Sequence, residues 1–328
     1  MANFYGLKAR MYITLSLILA IGFAIIYILL LLLGASSFGI IIFAALYFAF
    51  QWYISPKAIA LFSHLRYISE DEYPKLHKIV RDLAAQAQVP TPRIAISPSK
   101  EPNAFVFGRT RKSATLAVHK GLLDIVDEGE LRAVLAHEIG HIKHNDFAVM
   151  TFISFIPMLA MLIAQNMLFY GAFGGNRQKG GALALVGIGA FLIYIVTELF
   201  SLGLSRTREL YADYYSANAT KKPEDLARAL VKITYGQAHT QQSPAPQVAR
   251  SLYIADGLHA RNELSELSKH ISELSKLLGR EEIERLKEGI AKERSSFLLG
   301  IFSTHPSTYT RLMLLVKAKG ELNGNQGG

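Results

Sequence analysis

No charged residue stands between Met11 and Pro56, and a charge-free stretch of that length narrows the choice of fold sharply. A helix that crosses a bilayer needs about 20 consecutive apolar residues. The stretch breaks at Gly34-Ala35-Ser36-Ser37, which predicts two spans, residues 11–33 and 38–55, joined by a tight outer turn. Trp52 and Tyr53 then fall at the interface, where aromatic rings with one polar edge are favoured. A cleaved signal peptide fits less well, because its apolar region is shorter and no second span follows it.

Two more apolar runs occur later. Residues 147–176 again carry no charge, and their apolar part, 148–170, contains Pro157, where a kink is expected. A glycine-rich turn over 171–181 leads into a fourth run, 182–204, whose one charge is Glu198. A carboxylate at membrane depth is costly, so Glu198 is expected near the interface or facing a polar cavity. Lys and Arg flank the spans at the amino end, in 57–147 and from 206 onward; the first outer turn has none. The positive-inside rule puts those three parts on the cytoplasmic side of the cell membrane, with Arg177 and Lys179 the only dissent. The expected order is two transmembrane helices in 1–56, a cytoplasmic part in 57–147, two more transmembrane helices in 148–204, and a second cytoplasmic part in 205–328.

Composition agrees with a multi-pass chain in contact with the lipid bilayer. Of its 328 residues, 51% are hydrophobic, more than a soluble domain of this length needs. The net charge is +9. A nucleic-acid partner would require the basic residues clustered with exposed aromatics in a recognisable module. No such stretch is present, and the excess reads instead as flanks facing anionic lipid. The absence of cysteine excludes disulfides and thiolate metal sites, so a metal must take His, Glu or Asp.

Those residue types converge in His137-Glu138-Ile139-Gly140-His141. On a helix, positions i and i+4 lie on one face, so two imidazoles can share one zinc ion while Glu138 reaches its water. The helix is legible from its apolar side, Leu131, Val134 and Leu135, and from Asp127, Glu128 and Glu130 at its start, where the macrodipole favours acid. Upstream, residues 70–89 read as an amphipathic helix, and 93–97, 103–108 and 113–118 as strands of a small sheet. Such a sheet can offer an edge to an extended substrate or serve only as core. Two histidines leave zinc short of its usual three protein ligands. Ser205-Arg206-Thr207-Arg208-Glu209 follows the fourth run directly, with Asp213 one turn beyond. Glu209 is best placed as third ligand and Asp213 to orient a ligand histidine. The plainer reading is a pair of helix acids bridged to Arg206 and Arg208.

With these motifs in hand, the chain resembles the HtpX-type membrane zinc metallopeptidases, related to the CAAX prenyl endopeptidases. The likeness rests on Asn103-Ala104-Phe105, on His137 to His141 followed by Asp146, on Ser205 to Asp213, and on Thr304-His305-Pro306 with Arg311. It implies an α+β membrane protein: a helical, gluzincin-like peptidase domain with a small sheet and about four transmembrane helices. It implies one Zn2+ per chain on His137, His141 and Glu209, Glu138 as catalytic base, and hydrolysis of polypeptide substrates, chiefly damaged membrane proteins, in quality control. It also suggests His305 near the developing oxyanion and Asn103 at the substrate edge. A CAAX-type prenyl protease or a zinc-bound scaffold without turnover are the alternatives. The chain departs from the family mainly over 237–300, where Leu264, Leu267, Ile271, Leu274 and Leu278, then Ile283, Leu286 and Ile290, recur at helical spacing. That stripe fits a lid, a self-association contact through 263–292, or an ordinary packed helical pair.

Overall fold

The computed structural model describes residues 37–173, 177–239, 260–275, 277–280, 282–283 and 305–324. The first expected span, 11–33, lies outside them, as do Leu286 and Ile290. The chain divides into two compact units, Met1–Ser55 with Ala148–Ser205 and Pro56–Phe147 with Arg206–Gly328.

The described part of the first unit is helical. Helix α1 (Ser37–Phe62) covers the second apolar run, α5 (Asp146–Phe173) the third and α6 (Arg177–Thr220) the fourth. Among the described residues one helix, Gly180–Thr220, is long and apolar enough to cross a membrane, and a shorter apolar stretch spans Ile156–Phe169. Helix α5 continues through Pro157. Of the glycine-rich stretch 171–181, Gly171, Gly180 and Gly181 lie in helix, and 174–176, between α5 and α6, fall outside the described residues. A Cβ on Gly171 would stand 2.9 Å from the Ala184 nitrogen, and one on Gly187 2.9 Å from the Leu168 nitrogen. These glycines let α5 and α6 approach backbone to backbone. Glycine marks close approach as readily as it marks a turn.

The second unit holds a sheet, a set of helices and the main core. Helix α2 (Pro74–Ala87) starts where Pro74 presets its first turn and ends at Gln88 in the left-handed conformation; Leu76, Ile79, Val80 and Leu83 are buried as expected. Strands β1 (Arg66–Tyr67), β2 (Arg93–Ser97), β3 (Ala104–Phe107) and β4 (Thr115–His119) form one sheet in the order β1-β2-β4-β3. β2 runs parallel to β4, pairing Ile94 with Leu116, and β3 runs antiparallel to β4, pairing Ala104 with Val118. β3 is therefore an edge strand. A short helix, α3 (Lys120–Leu123), leads from β4 towards α4 (Glu128–His144), which packs against β3, α2 and α7 (Pro223–His239).

Residues 260–274 form α8 (Ala260–Lys269) and α9 (Ile271–Leu274), separated at His270. Leu264, Leu267, Leu274 and Leu278 are buried in the chain's own main core, and α8 packs on α7 and on α10 (Thr308–Gly324). The stripe behaves as part of a packed helical assembly.

Candidate metal centre

Helix α4 presents the two histidines, and its sequence fixes both of its ends. At the start, Asp127 Oδ1 accepts the Glu130 amide at 2.8 Å while Glu130 Oε2 accepts the Asp127 amide at 2.9 Å, a reciprocal capping box. At the end, Asn145 takes the left-handed conformation (φ 58°) and its amide returns to the last turn. Asparagine tolerates that geometry. The turn brings Asp146 back to His141, whose Nδ1 lies 2.5 Å from Asp146 Oδ2. Arg111, in the basic β3–β4 connection, donates to the Lys143 carbonyl at 2.6 Å and satisfies part of the helix C-terminus.

Helix α6 crosses close to α4. A Cβ on Gly140 would meet the Tyr215 ring at 3.0 Å, and Ser216 Oγ donates to the Ala133 carbonyl at 2.6 Å. The small residue between the histidines thus admits the helix that carries Glu209 and Asp213. Those two side chains reach the pair. Glu209 Oε2 is 3.5 Å from His137 Nε2, and its Oε1 is 3.4 Å from His141 Nε2. The two Nε2 atoms are themselves 3.2 Å apart.

The other ring nitrogens are held by carboxylates. His137 Nδ1 lies 2.9 Å from Asp213 Oδ1, close though not aligned as an ideal hydrogen bond. A nitrogen that near a carboxylate carries the proton. With both Nδ1 atoms protonated, both Nε2 lone pairs point at one place, with a carboxylate beside them. That donor set repels itself unless a cation sits between. Burial alone would lower the His137 pKa, but Asp213 and Glu209 outweigh it and raise it to about 9. The same field that attracts a proton attracts a metal ion.

Each supporting aspartate is itself paired. Arg311 gives Asp213 a two-pronged contact, Nε to Oδ2 at 2.8 Å and Nη2 to Oδ1 at 2.7 Å. Arg208 Nη2 is 3.1 Å from Asp146 Oδ2. Burial would raise both carboxyl pKa values; Arg311 and Arg208 respectively overcome it and hold them below the usual range. Glu138 is buried beside the pair, in the group His137, Glu138 and His141 whose donor atoms lie within 4.8 Å of one another. Burial pushes its carboxyl up to about 7. His305, just before α10, stands with Nδ1 3.4 Å from Glu209 Oε2.

A protein-family model, peptidase family M48, matches residues 70–319, which takes in every part of this cluster. The chain belongs to peptidase family M48. It is a metalloendopeptidase that acts on polypeptides. "Protease HtpX homolog 2" of Methanosarcina mazei is 33% identical over 97% of this chain and 97% of its own length. "Protease HtpX homolog" of Methanothermobacter thermautotrophicus is 38% identical over 75% of this chain and 92% of its own. Among solved structures, the crystal structure of S. mikatae Ste24p aligns with a TM-score of 0.52 and 19% identity, over 96% of this chain and 66% of that one. That likeness is one of fold.

Within the M48 framework, the residues singled out in sequence divide cleanly. His137, Glu138, His141, Glu209, Asp213 and His305 come together. Asn103 is placed by the sheet instead: its carbonyl accepts the His119 amide at 2.9 Å, immediately before edge strand β3. Sequence reasoning names Asp146 and Arg311 as motif residues without giving them a role, and offers Arg208 only as an ion-pair partner of the helix acids, whereas it lies beside Asp146. Asp146 follows an asparagine that can end a helix in the left-handed turn, which was the available signal; the arginines' partners depend on tertiary packing.

Proposed function

We propose that the chain is a zinc-dependent endopeptidase anchored in a cell membrane by about four spans, cleaving damaged membrane proteins at the cytoplasmic face. The observation that carries the zinc reading is the spacing between three ligand groups: the two histidine Nε2 atoms are 3.2 Å apart, and each is 3.4 to 3.5 Å from a Glu209 carboxylate oxygen. Two ligands about 2.1 Å from one ion at a tetrahedral angle lie about 3.4 Å apart. His137, His141 and Glu209 would hold the ion, with Asp213 and Asp146 orienting the imidazoles. Zinc bound there supplies a Lewis acid for the scissile carbonyl and lowers the pKa of a bound water.

The remaining work falls to side chains of this chain. Glu138, with its pKa raised by burial to about 7, is poised to take the water's proton and pass it to the leaving amine. His305 is near enough to the site to donate to the developing oxyanion. β3, as an edge beside α4, offers backbone groups to an extended substrate, with Asn103 at its entrance. The peptidase parts, 57–147 and 205–328, alternate along the chain with the spanning parts, 1–56 and 148–204. Charged flanks on the former and exposed apolar side chains on the latter support that assignment.

Zinc content and cleavage of unfolded casein in detergent, for wild type and Glu138→Gln side by side, test this. Both proteins are expected to hold about one zinc, and only wild type to cleave. Full activity in the variant would remove Glu138 as base. Zinc in both without cleavage would favour a prenyl-peptide protease or a scaffold; no zinc in either would break the ligand set.

A further inference from the structure

The helical segment beginning at residue 260 packs through apolar side chains, yet it also sends one carboxylate towards the metal centre. Glu263, on α8, accepts a hydrogen bond from the hydroxyl of Thr308, the first residue of α10. The Thr308 hydroxyl also lies 3.1 Å from that of Thr234 on α7. Thr308 is buried, so its hydroxyl needs these partners. One turn further along α10 comes Arg311, on the same helix face, and three residues before Thr308 comes His305.

Arg311 is fully buried and holds Asp213 with two hydrogen bonds. Burial works against its charge, and Asp213, Glu209 and Glu263 together outweigh that. A buried guanidinium fork keeps its geometry only if the backbone beneath it is fixed. The first turn of α10 is fixed at Thr308, and Thr308 is tied to Glu263.

We propose that Glu263 is a positioning residue of the peptidase site, seating α10 through Thr308 so that Arg311 holds Asp213 against His137. Helix α8 is then a working part of the metal centre, with Glu263 forty-five residues upstream of the Thr308 hydroxyl it holds. This rests on the reading of His137 as a metal ligand oriented by Asp213. The chain of contacts runs from Glu263 to Thr308, along one helical turn to Arg311, and across to Asp213 and His137.

The test uses full-length, zinc-loaded protein in detergent. Zinc release to excess chelator, kcat and KM on unfolded casein, and melting temperature are measured for Glu263→Leu, Glu263→Gln, Thr308→Val and the Leu/Val double variant. Glu263→Leu and Thr308→Val should each speed zinc release and lower kcat by about tenfold, with KM unchanged. The double variant should be no worse than either single one, because both cut the same tie. Glu263→Gln, whose amide oxygen still accepts from Thr308, should recover most of the loss. A lower melting temperature with kcat and zinc release at wild-type values overturns the proposal, as does full additivity in the double variant. His137→Ala separates the two levels. Zinc lost there, with the Glu263 variants at wild-type zinc release and kcat, sinks the positioning role alone. Zinc retained there sinks the ligand set and this proposal together.

Discussion

Along α6, Leu185, Leu192 and Val196 are 71%, 59% and 46% exposed, whereas Glu130, His137, Asp213 and Arg311 in the peptidase unit are at most 1% exposed. A water-soluble protein arranges matters the other way round. In the first region the helices satisfy their backbone groups internally, so the outward side chains can face an apolar solvent at little cost. In the second, every one of those buried charges has a partner of opposite sign: Lys232 Nζ is 2.9 Å from Glu130, and Arg311 grips Asp213. The contrast teaches how to read each feature. Exposed leucine in one region marks the medium around it, and buried charge in the other marks chemistry.

The largest expected effect comes from breaking a buried pair. Asp213→Leu takes from the buried Arg311 guanidinium the carboxylate it holds with two hydrogen bonds, and should cost about 3–5 kcal/mol of stability together with the metal. Adding Arg311→Met should restore much of the melting temperature and none of the zinc. If the single variant melts at the wild-type temperature, pairing is not what makes buried charge tolerable there. Next, Leu192→Lys puts a charge on the exposed apolar face. Membrane insertion should weaken by about 2.5–3.5 kcal/mol, read from the fraction extracted by alkaline wash, while correctly inserted protein keeps its kcat.

Acid tests the peptidase unit specifically. Burial holds the His119 imidazole at about 4, well below its usual value, while its Nδ1 hydrogen-bonds the Glu101 carbonyl at 2.8 Å. The folded state thus prefers the neutral ring more than the unfolded state does. That preference contributes in full above about pH 6.5 and is lost progressively as pH falls towards 4, on the order of 3 kcal/mol in all. The melting temperature should fall across that window, less steeply in His119→Gln; equal slopes would assign the acid sensitivity elsewhere. The smallest effect is expected at Gly140→Ala. Its methyl group would press on Tyr215 at 3.0 Å, and better helix propensity offsets part of that, leaving about 1 kcal/mol of destabilisation by thermal melting.

Much of the metal centre was legible because helices write their faces into sequence. His137 and His141 at i and i+4, and Glu209 and Asp213 at the same spacing, each fall on one face, and the structure sets the two faces against each other. β2 was readable to the residue, since Arg93–Ser97 is a short apolar run bounded by Pro92 and Pro98. The capping box was there to be seen in Asp127 and Glu130, three residues apart, although only their charge was used. Other parts had no local signature. Arg311 lies 98 residues from Asp213, and nothing periodic connects them. The break at His270 interrupts a leucine pattern that continues through it at helical spacing, so the spacing carries no mark of the break. The glycines of 171–181 carry two signals at once, because flexibility and close packing call for the same residue: Gly171 admits the Ala184 backbone, while 174–176 lie outside the described residues.

The contact between Arg311 and Asp213 also has a bearing on timing. During synthesis the histidine pair emerges first, Glu209 and Asp213 some seventy residues later, and Arg311 nearly a hundred after those. A nascent chain that has reached only Asp213 already carries the donors for a metal, but its supporting aspartate still lacks the guanidinium that neutralises it. Completion of the site therefore waits on a helix translated about a hundred residues after the carboxylate it serves.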